Sequence, residues 1–211
     1  MRRLALALSL LATPLAAEEI SFADGWTIQP FGLFGNNRYT LGEDGLTMES
    51  DDAVSLVWYR VPEALWGATQ AEWTWEVTSS VEATDLTVKG GDDRNFTMYF
   101  FFLPEEEARA FGDGNIRDLQ GNESGRVLTY VWGGDYETGE VIPSPYLGER
   151  GAAVMLQSVG TGEYTESVDL AADFGRAFEG DRGALVGIAV SGDSDDTGGV
   201  IEGMIRGLSV E

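Results

Sequence analysis

The chain has no cysteine, no histidine and a single lysine among its 211 residues. Without cysteine it forms no disulfide, no thiolate zinc site and no iron–sulfur cluster. Without histidine it has no Ser-His or Cys-His nucleophile and no imidazole metal ligand. It also lacks the Gly-x-Ser-x-Gly elbow, the phosphate-binding loop and the dinucleotide-binding fingerprint. Any chemistry must therefore use carboxylates, hydroxyls, arginines and aromatic rings.

Basic residues are also few. The chain has 13 Lys and Arg against 36 Asp and Glu, a formal net charge of −23. Such a charge repels phosphate backbones and anionic lipid surfaces, so nucleic acid and membranes are not expected partners. The same charge favours solubility. The 43% hydrophobic content is enough for a core, and the length fits one domain or at most two small ones.

The first seventeen residues have the three-part layout of a secretory signal peptide. Arg2 and Arg3 form a basic start, residues 4–11 form a short apolar run, and Ala17 precedes an acidic stretch. The apolar run is too short to span a bilayer. We expect residues 1–17 to be removed and residues 18–211 to form one domain that is periplasmic or secreted.

Short apolar segments separated by glycine-rich turns predict roughly ten strands. Trp73, Trp75 and Val77 alternate with polar residues, as in a half-buried strand. Strands are also predicted at 27–34, 46–48, 54–59, 85–89, 96–103, 127–132, 152–159, 184–190 and 200–210, and helices at 105–111 and 170–178. The predicted fold is an all-β, antiparallel two-sheet β-sandwich of the jelly-roll or lectin-like kind with one or two short helices. An up-and-down barrel is the alternative.

The first candidate site is the charged segment 89–94. Two glycines permit a tight turn that brings Lys89, Asp92, Asp93 and Arg94 together. Such a cluster suits a polar ligand or a cation. The alternative is a structural turn in which Lys89, Arg94 and backbone amides satisfy the two aspartates.

The second candidate site is an aspartate-rich turn near the carboxyl terminus. Asp193, Asp195 and Thr197 occupy the first, third and fifth positions of a calcium-type loop, and Gly198 occupies the sixth. The twelfth position is Met204, so the segment is not an EF-hand. Calcium held with ligands from elsewhere in the fold and a turn capped by its own aspartates are both open interpretations.

The charges of this turn favour a metal. Asp193, Asp195 and Asp196 place three like charges within four residues, and the nearest cation in sequence is Arg206. We therefore predict that these three aspartates bind calcium. Because loops from distant strands meet at one end of a jelly roll, we also expect this turn to lie beside residues 92–93.

The third candidate is Trp132, at the end of a predicted strand. An exposed tryptophan beside carboxylates is a common way of holding a sugar ring, whereas a buried one belongs to the core. Pairs of carboxylates also suit glycoside hydrolysis, although 36 acids give that pattern little specificity.

Several of these segments together resemble a known family. Trp73-x-Trp75, the segments 84–86 and 89–94, and the segment 130–133 resemble a family of exported bacterial proteins, the domain of unknown function DUF3047. Further segments that fit the family are 173–178, 187–190 and 193–198. The resemblance covers nearly all of the mature chain. It implies a β-sandwich and an exported location, and it supplies no reaction.

We predict an exported, non-catalytic β-sandwich that binds carbohydrate or another polar envelope ligand. The predicted ligand-binding residues are Lys89, Asp92, Asp93, Arg94 and Trp132. The alternatives are a carboxylate-dependent glycan-cleaving enzyme and a structural component of an envelope complex. A cleft with two opposed acids would favour the enzyme.

The signal peptide gives the first testable prediction. The exported protein is expected to begin at or near Glu18, because the small residues that precede it form the cleavage site. The intact mass of the exported protein measures this directly. A mass that includes Arg2 and Arg3 would contradict the prediction.

Overall fold

A computed structural model describes residues 17–31 and 35–211 of the chain. The predicted signal peptide, apart from Ala17, lies outside the described residues, as does the end of the strand predicted at 27–34. Within the described part, no helix combines the length and the apolar character needed to cross a membrane.

The described residues form thirteen strands, three α-helices and one short 3₁₀ turn, Glu63–Leu65. The strands are β1 Glu18–Glu19, β2 Trp26–Pro30, β3 Arg38–Gly42, β4 Gly45–Asp51, β5 Val54–Arg60, β6 Gln70–Ser79, β7 Arg94–Leu103, β8 Arg126–Trp132, β9 Val141–Ser144, β10 Gly148–Gln157, β11 Gly162–Asp169, β12 Ala184–Asp193 and β13 Val200–Val210. The helices are α1 Glu105–Phe111, α2 Ile116–Gly121 and α3 Leu170–Ala177.

The strands form two sheets. The six-stranded sheet has the order β11-β6-β13-β4-β3, with β1 paired to β13, and the seven-stranded sheet has the order β2-β5-β12-β7-β8-β10-β9. Neighbouring strands run antiparallel except β8 and β10, which pair in parallel. The chain crosses repeatedly from one sheet to the other, as between β5, β6 and β7. The predicted two-sheet, mainly antiparallel sandwich is confirmed.

Aromatic side chains fill the space between the sheets. Trp73 and Trp75 on β6 are fully buried, as their alternation with polar residues predicts. Their rings meet edge to face with centroids 5.4 Å apart. Across the space between the sheets, the ring centroid of Trp73 lies 6.1 Å from that of Phe100 and 5.7 Å from that of Tyr130. β7 is buried along nearly all of its length on both faces, as its continuous apolar sequence predicts.

The outer face of the seven-stranded sheet is covered over only part of its length. At one end, α1 and α2 pack Ala108, Ile116 and Leu119 against Phe101 and Val127 of the sheet. The side chain of Arg150 on β10 anchors the end of α2, because its Nη1 donates to the carbonyls of Gln120 and Asn122. The helices do not cover the rest of this face, and a cavity lies there beside α2.

The prediction of a strand at 85–89 is wrong. This segment is a turn, because Oδ1 of Asp85 accepts hydrogen bonds from both the backbone N–H and the hydroxyl of Thr87. Gly90 follows with φ +71°, a conformation that suits glycine and ends any extended segment.

Some elements were not predicted. Helix α2 has only six residues, too few for a periodic apolar pattern. It is instead set by a capping box, in which Asn115 accepts from the backbone N–H groups of Arg117 and Asp118 while Asp118 accepts from the N–H of Asn115. Strands β3, β9 and β11 were also not predicted, since they are short or largely polar.

The tryptophan cluster gives a stability prediction. Trp73→Ala should lower the free energy of unfolding by about 3–5 kcal/mol, because it removes a fully buried ring and leaves a cavity. Denaturant titration measures the change. Val88→Ala, at an exposed position, is the control and should stay within about 0.5 kcal/mol of the wild type. Similar losses for both variants would contradict this account of the core.

Candidate functional site

A cavity of about 500 Å³ opens on the outer face of the seven-stranded sheet, beside α2. Its floor is formed by three neighbouring strands, through Thr97 and Tyr99 of β7, Val127, Thr129 and Val131 of β8, and Ala152 and Ala153 of β10. Tyr146 and Leu147, between β9 and β10, line one side. One end is acidic, with Asp92, Asp193, Asp195 and Asp196 around Arg94.

A second groove of about 450 Å³ lies on the outer face of the six-stranded sheet. It is lined by threonines, glutamates, Arg38 and methionines, without an aromatic ring. The predicted site residues do not line it. The cavity on the seven-stranded sheet is therefore the candidate site.

Arg94, the first residue of β7, organises the acidic end of the cavity. Its Nη1 donates to the backbone carbonyl of Asp92 at 2.7 Å, and to one carboxylate oxygen each of Asp92 and Asp193 at 2.9 Å. Its Nε donates to the hydroxyl of Thr97 at 2.8 Å, and its Nη2 to that of Tyr99 at 3.1 Å. The side chain is only 13% exposed. Charge-assisted bonds from one rigid fork therefore fix four neighbouring polar side chains.

Asp193 is incompletely compensated by this arginine. Burial raises the pKa of its carboxyl to about 8, with the nearby Asp195 carboxyl acting in the same direction and Arg94 opposing the rise. Oδ2 receives the bond from Arg94, while Oδ1 is buried without a hydrogen-bond partner. A buried oxygen without a partner is uncommon in a native fold.

The two charged loops meet, which confirms that they lie at the same end of the sandwich. Asp93 accepts hydrogen bonds from the backbone N–H of Asp196 at 3.2 Å and of Thr197 at 2.8 Å, and from the hydroxyl of Thr197. In return, the Asp196 carboxylate accepts from the backbone N–H of Asp92 at 3.3 Å. Loops about a hundred residues apart in sequence thus form one acidic wall.

The predicted metal ligands are only partly grouped as expected. One carboxylate oxygen each of Asp93, Asp193 and Asp195 lies within 4.8 Å of the others. Asp196 is outside this group and binds the backbone of the other loop. The cation that faces Asp193 is Arg94, which is distant in sequence, whereas Arg206, the nearest cation in sequence, pairs with Glu163 at 2.8 Å.

Trp132 was wrongly predicted as a ligand-binding residue. It is 1% exposed and packs between the sheets, with its ring centroid 5.6 Å from Trp75 and 5.1 Å from Tyr164. Successive side chains of a strand point to opposite faces, so Val131 lines the cavity and Trp132 enters the core.

Among the aromatic residues that line the cavity, Tyr146 is more exposed than Phe31, and the sequence analysis missed it. It is 56% exposed, and its hydroxyl donates to Oδ1 of Asp92 at 2.7 Å. Burial and this carboxylate raise the pKa of the phenol to about 12, so it stays protonated and remains a donor. The ammonium of Lys89 lies 5.4 Å from the ring centroid. An aromatic residue directly after Pro143 and Pro145 was the available signal.

The chain belongs to the family described as Protein of unknown function (DUF3047), which matches residues 24–208. The resemblance found in the sequence is thereby confirmed. Among curated proteins, no sequence matches this chain.

Some solved structures are similar to this chain. The xyloglucanase domain of NopAA, a type three effector from Sinorhizobium fredii solved with cellobiose, is similar with a TM-score of 0.50 and 10% identity. That match covers 95% of this chain and 99% of the other. A family 11 carbohydrate-binding module from Clostridium thermocellum, solved with a β-1,3-1,4-mixed-linked tetrasaccharide, has a TM-score of 0.47 and 8% identity and covers 94% and 96%. At these identities the likeness concerns the fold alone.

Replacing Arg94 is expected to destabilise the fold. Arg94→Met keeps much of the apolar stem but leaves Asp92 and Asp193 buried without their cation, so the free energy of unfolding should fall by about 3–5 kcal/mol. Denaturant titration provides the value. Arg38→Met is the control, because its ion pair with Glu49 is exposed and should contribute at most about 1 kcal/mol.

A second variant, Asp193→Asn, distinguishes the cost of leaving the Asp193 carboxyl without its cation from the cost of lost packing around Arg94. Asp193→Asn should be less destabilising in the Arg94→Met background than in the wild type, because the uncompensated carboxylate is then removed. Additive losses would contradict the proposed role of the ion pair.

Proposed function

We propose that this protein is exported and binds, without cleaving, a short neutral glycan in the cavity of the seven-stranded sheet. The observation that carries the proposal is the combination of an open apolar floor, an exposed tyrosine and polar groups already fixed by Arg94. Ligand sites in general combine an apolar lining with a few well-placed polar groups.

The aromatic contact comes from Tyr146. An aromatic ring offers a flat apolar surface on which the C–H groups of a sugar ring can pack, while its polar end remains hydrogen-bonded. The hydroxyl of Tyr146 is tied to Asp92, which fixes the position of the ring beside the cavity. A ring that is already fixed loses little conformational entropy when the ligand binds.

The polar contacts suit sugar hydroxyls. Thr129 and Tyr99 lie on the floor, and the carboxylates of Asp92, Asp195 and Asp196 lie at one end. Carboxylates accept hydrogen bonds strongly and would repel an acidic sugar. Together with the net charge of −23, this favours neutral glycans over glycans that contain uronic acids.

The geometry supports binding more than hydrolysis. A glycosidase needs one carboxylic acid and one carboxylate placed on either side of the scissile bond. Here the carboxyl groups that line the cavity, those of Asp92, Asp193, Asp195 and Asp196, all lie at its acidic end, so none faces another across a bound ligand. Arg94 also engages two of them, Asp92 and Asp193, through the same nitrogen.

The likeness in fold to a glycan-active domain guides the choice of ligands to test. The Sinorhizobium fredii xyloglucanase domain was solved with cellobiose, so cellobiose and longer β-glucans are the first ligands to test. The export part of the proposal rests on the signal-peptide layout of residues 1–17.

Calorimetric titration of the exported protein with cello-oligosaccharides and mixed-linked glucan should show binding that Tyr146→Ala weakens about tenfold or more, equivalent to roughly 1.4 kcal/mol. Tyr164→Ala is the matched control, because Tyr164 is also an exposed tyrosine but lies on β11 of the other sheet. Its affinity should match the wild type.

Three outcomes would contradict the proposal. Release of reducing ends from the glucans would indicate the glycan-cleaving enzyme. Absence of binding to any neutral glycan by the folded protein would favour a structural role in an envelope complex. Equal loss of affinity in both tyrosine variants would place binding outside the cavity.

A further inference from the structure

Three carboxylates converge at the acidic end of the cavity. Asp93 precedes β7, Asp193 ends β12, and Asp195 lies in the turn that follows. One oxygen of each lies within 4.8 Å of the other two. Asp93 and Asp193 are buried and Asp195 is half-buried, so solvent screens their mutual repulsion poorly.

Protein cations do not balance this charge. Within the described part of the chain, the ion pairs of Asp92, Asp93, Asp193, Asp195 and Asp196 are the two that Arg94 forms. The ammonium of Lys89 is directed at the ring of Tyr146. Arg94 thus pairs with two of these five carboxyl groups.

The side chain of Asp193 carries a buried oxygen without a hydrogen-bond partner. It is 9% exposed, and its Oδ1 has no hydrogen-bond partner although its Oδ2 is bound by Arg94. Leaving a carboxyl oxygen buried and unpaired is costly. A bound cation beside Oδ1 would remove this energetic cost.

The chemistry of the ligand atoms indicates which cation the cluster would bind. The cluster offers only carboxylate oxygens, and the chain has no histidine or cysteine to attract a softer metal. Calcium accepts about six to eight oxygens in flexible geometries, whereas magnesium demands near-octahedral geometry and retains its water. Carboxylates drawn from two separate loops fit the less demanding ion.

We propose that Asp93, Asp193 and Asp195 form a calcium site, completed by backbone carbonyls or water. Asp93 is already oriented by the N–H groups of Asp196 and Thr197, so the site is partly organised before the ion binds. The ion would tie the loop before β7 to the loop between β12 and β13. Calcium binding goes beyond the proposed glycan binding and does not depend on it.

The test uses the exported protein stripped with a chelator, without any sugar. Calcium should raise its melting temperature by roughly 5–10 °C at a hundredfold excess over Kd, because the ion binds the folded state only. Calorimetric titration should give one site per chain. Terbium in place of calcium should show luminescence sensitised by tyrosine, with Tyr146 nearby, and calcium should displace it.

Asp195→Asn is the test variant, because Asp195 is the most exposed of the three and does not pair with Arg94. It should fold, as checked by circular dichroism, and bind calcium at least about tenfold more weakly. Asp113→Asn is the matched control, at an exposed position between α1 and α2, and should bind as the wild type does.

Three results would overturn the proposal. The first is identical melting curves of the wild type with chelator and with millimolar calcium, together with no terbium signal. The second is equal calcium affinity in the two asparagine variants. The third is an equal stabilisation by magnesium, which would reject calcium as the ion. None of these measurements involves a glycan, so a failure here is distinguishable from a failure of the proposed function.

Discussion

The buried guanidinium of Arg94 is the interaction on which the candidate site depends. It joins Asp92 to Asp193, which lies 99 residues after Arg94 in the chain, and also holds Thr97 and Tyr99 on the floor of the cavity. Removing charges from water is unfavourable unless each finds a partner, so this cluster forms only when β7 and β12 are correctly paired. The geometry of the site is therefore coupled to the register of the sheet.

The seven-stranded sheet performs two tasks with its two faces. One face supplies the aromatic core, in which Trp132 and Tyr130 meet the tryptophans of β6. The other face supplies the floor of the cavity through Val131 and Thr129. Alternation along β8 makes the two roles inseparable, because a register shift of one residue would exchange them. Helices α1 and α2 then cover part of the outer face and leave the remainder open.

Charge distinguishes the two proposed ligands of the cavity. Its floor is apolar apart from a few neutral hydroxyl groups, which suits a sugar, whereas its acidic end holds more carboxyl groups than Arg94 pairs with, which suits a cation. The two proposals share a wall through Asp92, which binds both Arg94 and Tyr146. They also share Asp195, which is a sugar contact in one proposal and a calcium ligand in the other, and they are tested separately.

The sequence by itself determined the sandwich, the buried tryptophans of β6, the central position of β7 and the family, because period-two alternation and continuous apolar runs are local signals. It also located the two acidic loops. Their meeting at one end of the sandwich was predicted and is confirmed. Only the tertiary structure decided that Arg94 faces Asp193 and that Asp93 takes the place of Asp196 in the carboxylate group. Only the tertiary structure placed Trp132 inside and Tyr146 at the cavity. Those outcomes depend on which strands pair and which face each side chain takes, and neither is encoded within a short window of sequence.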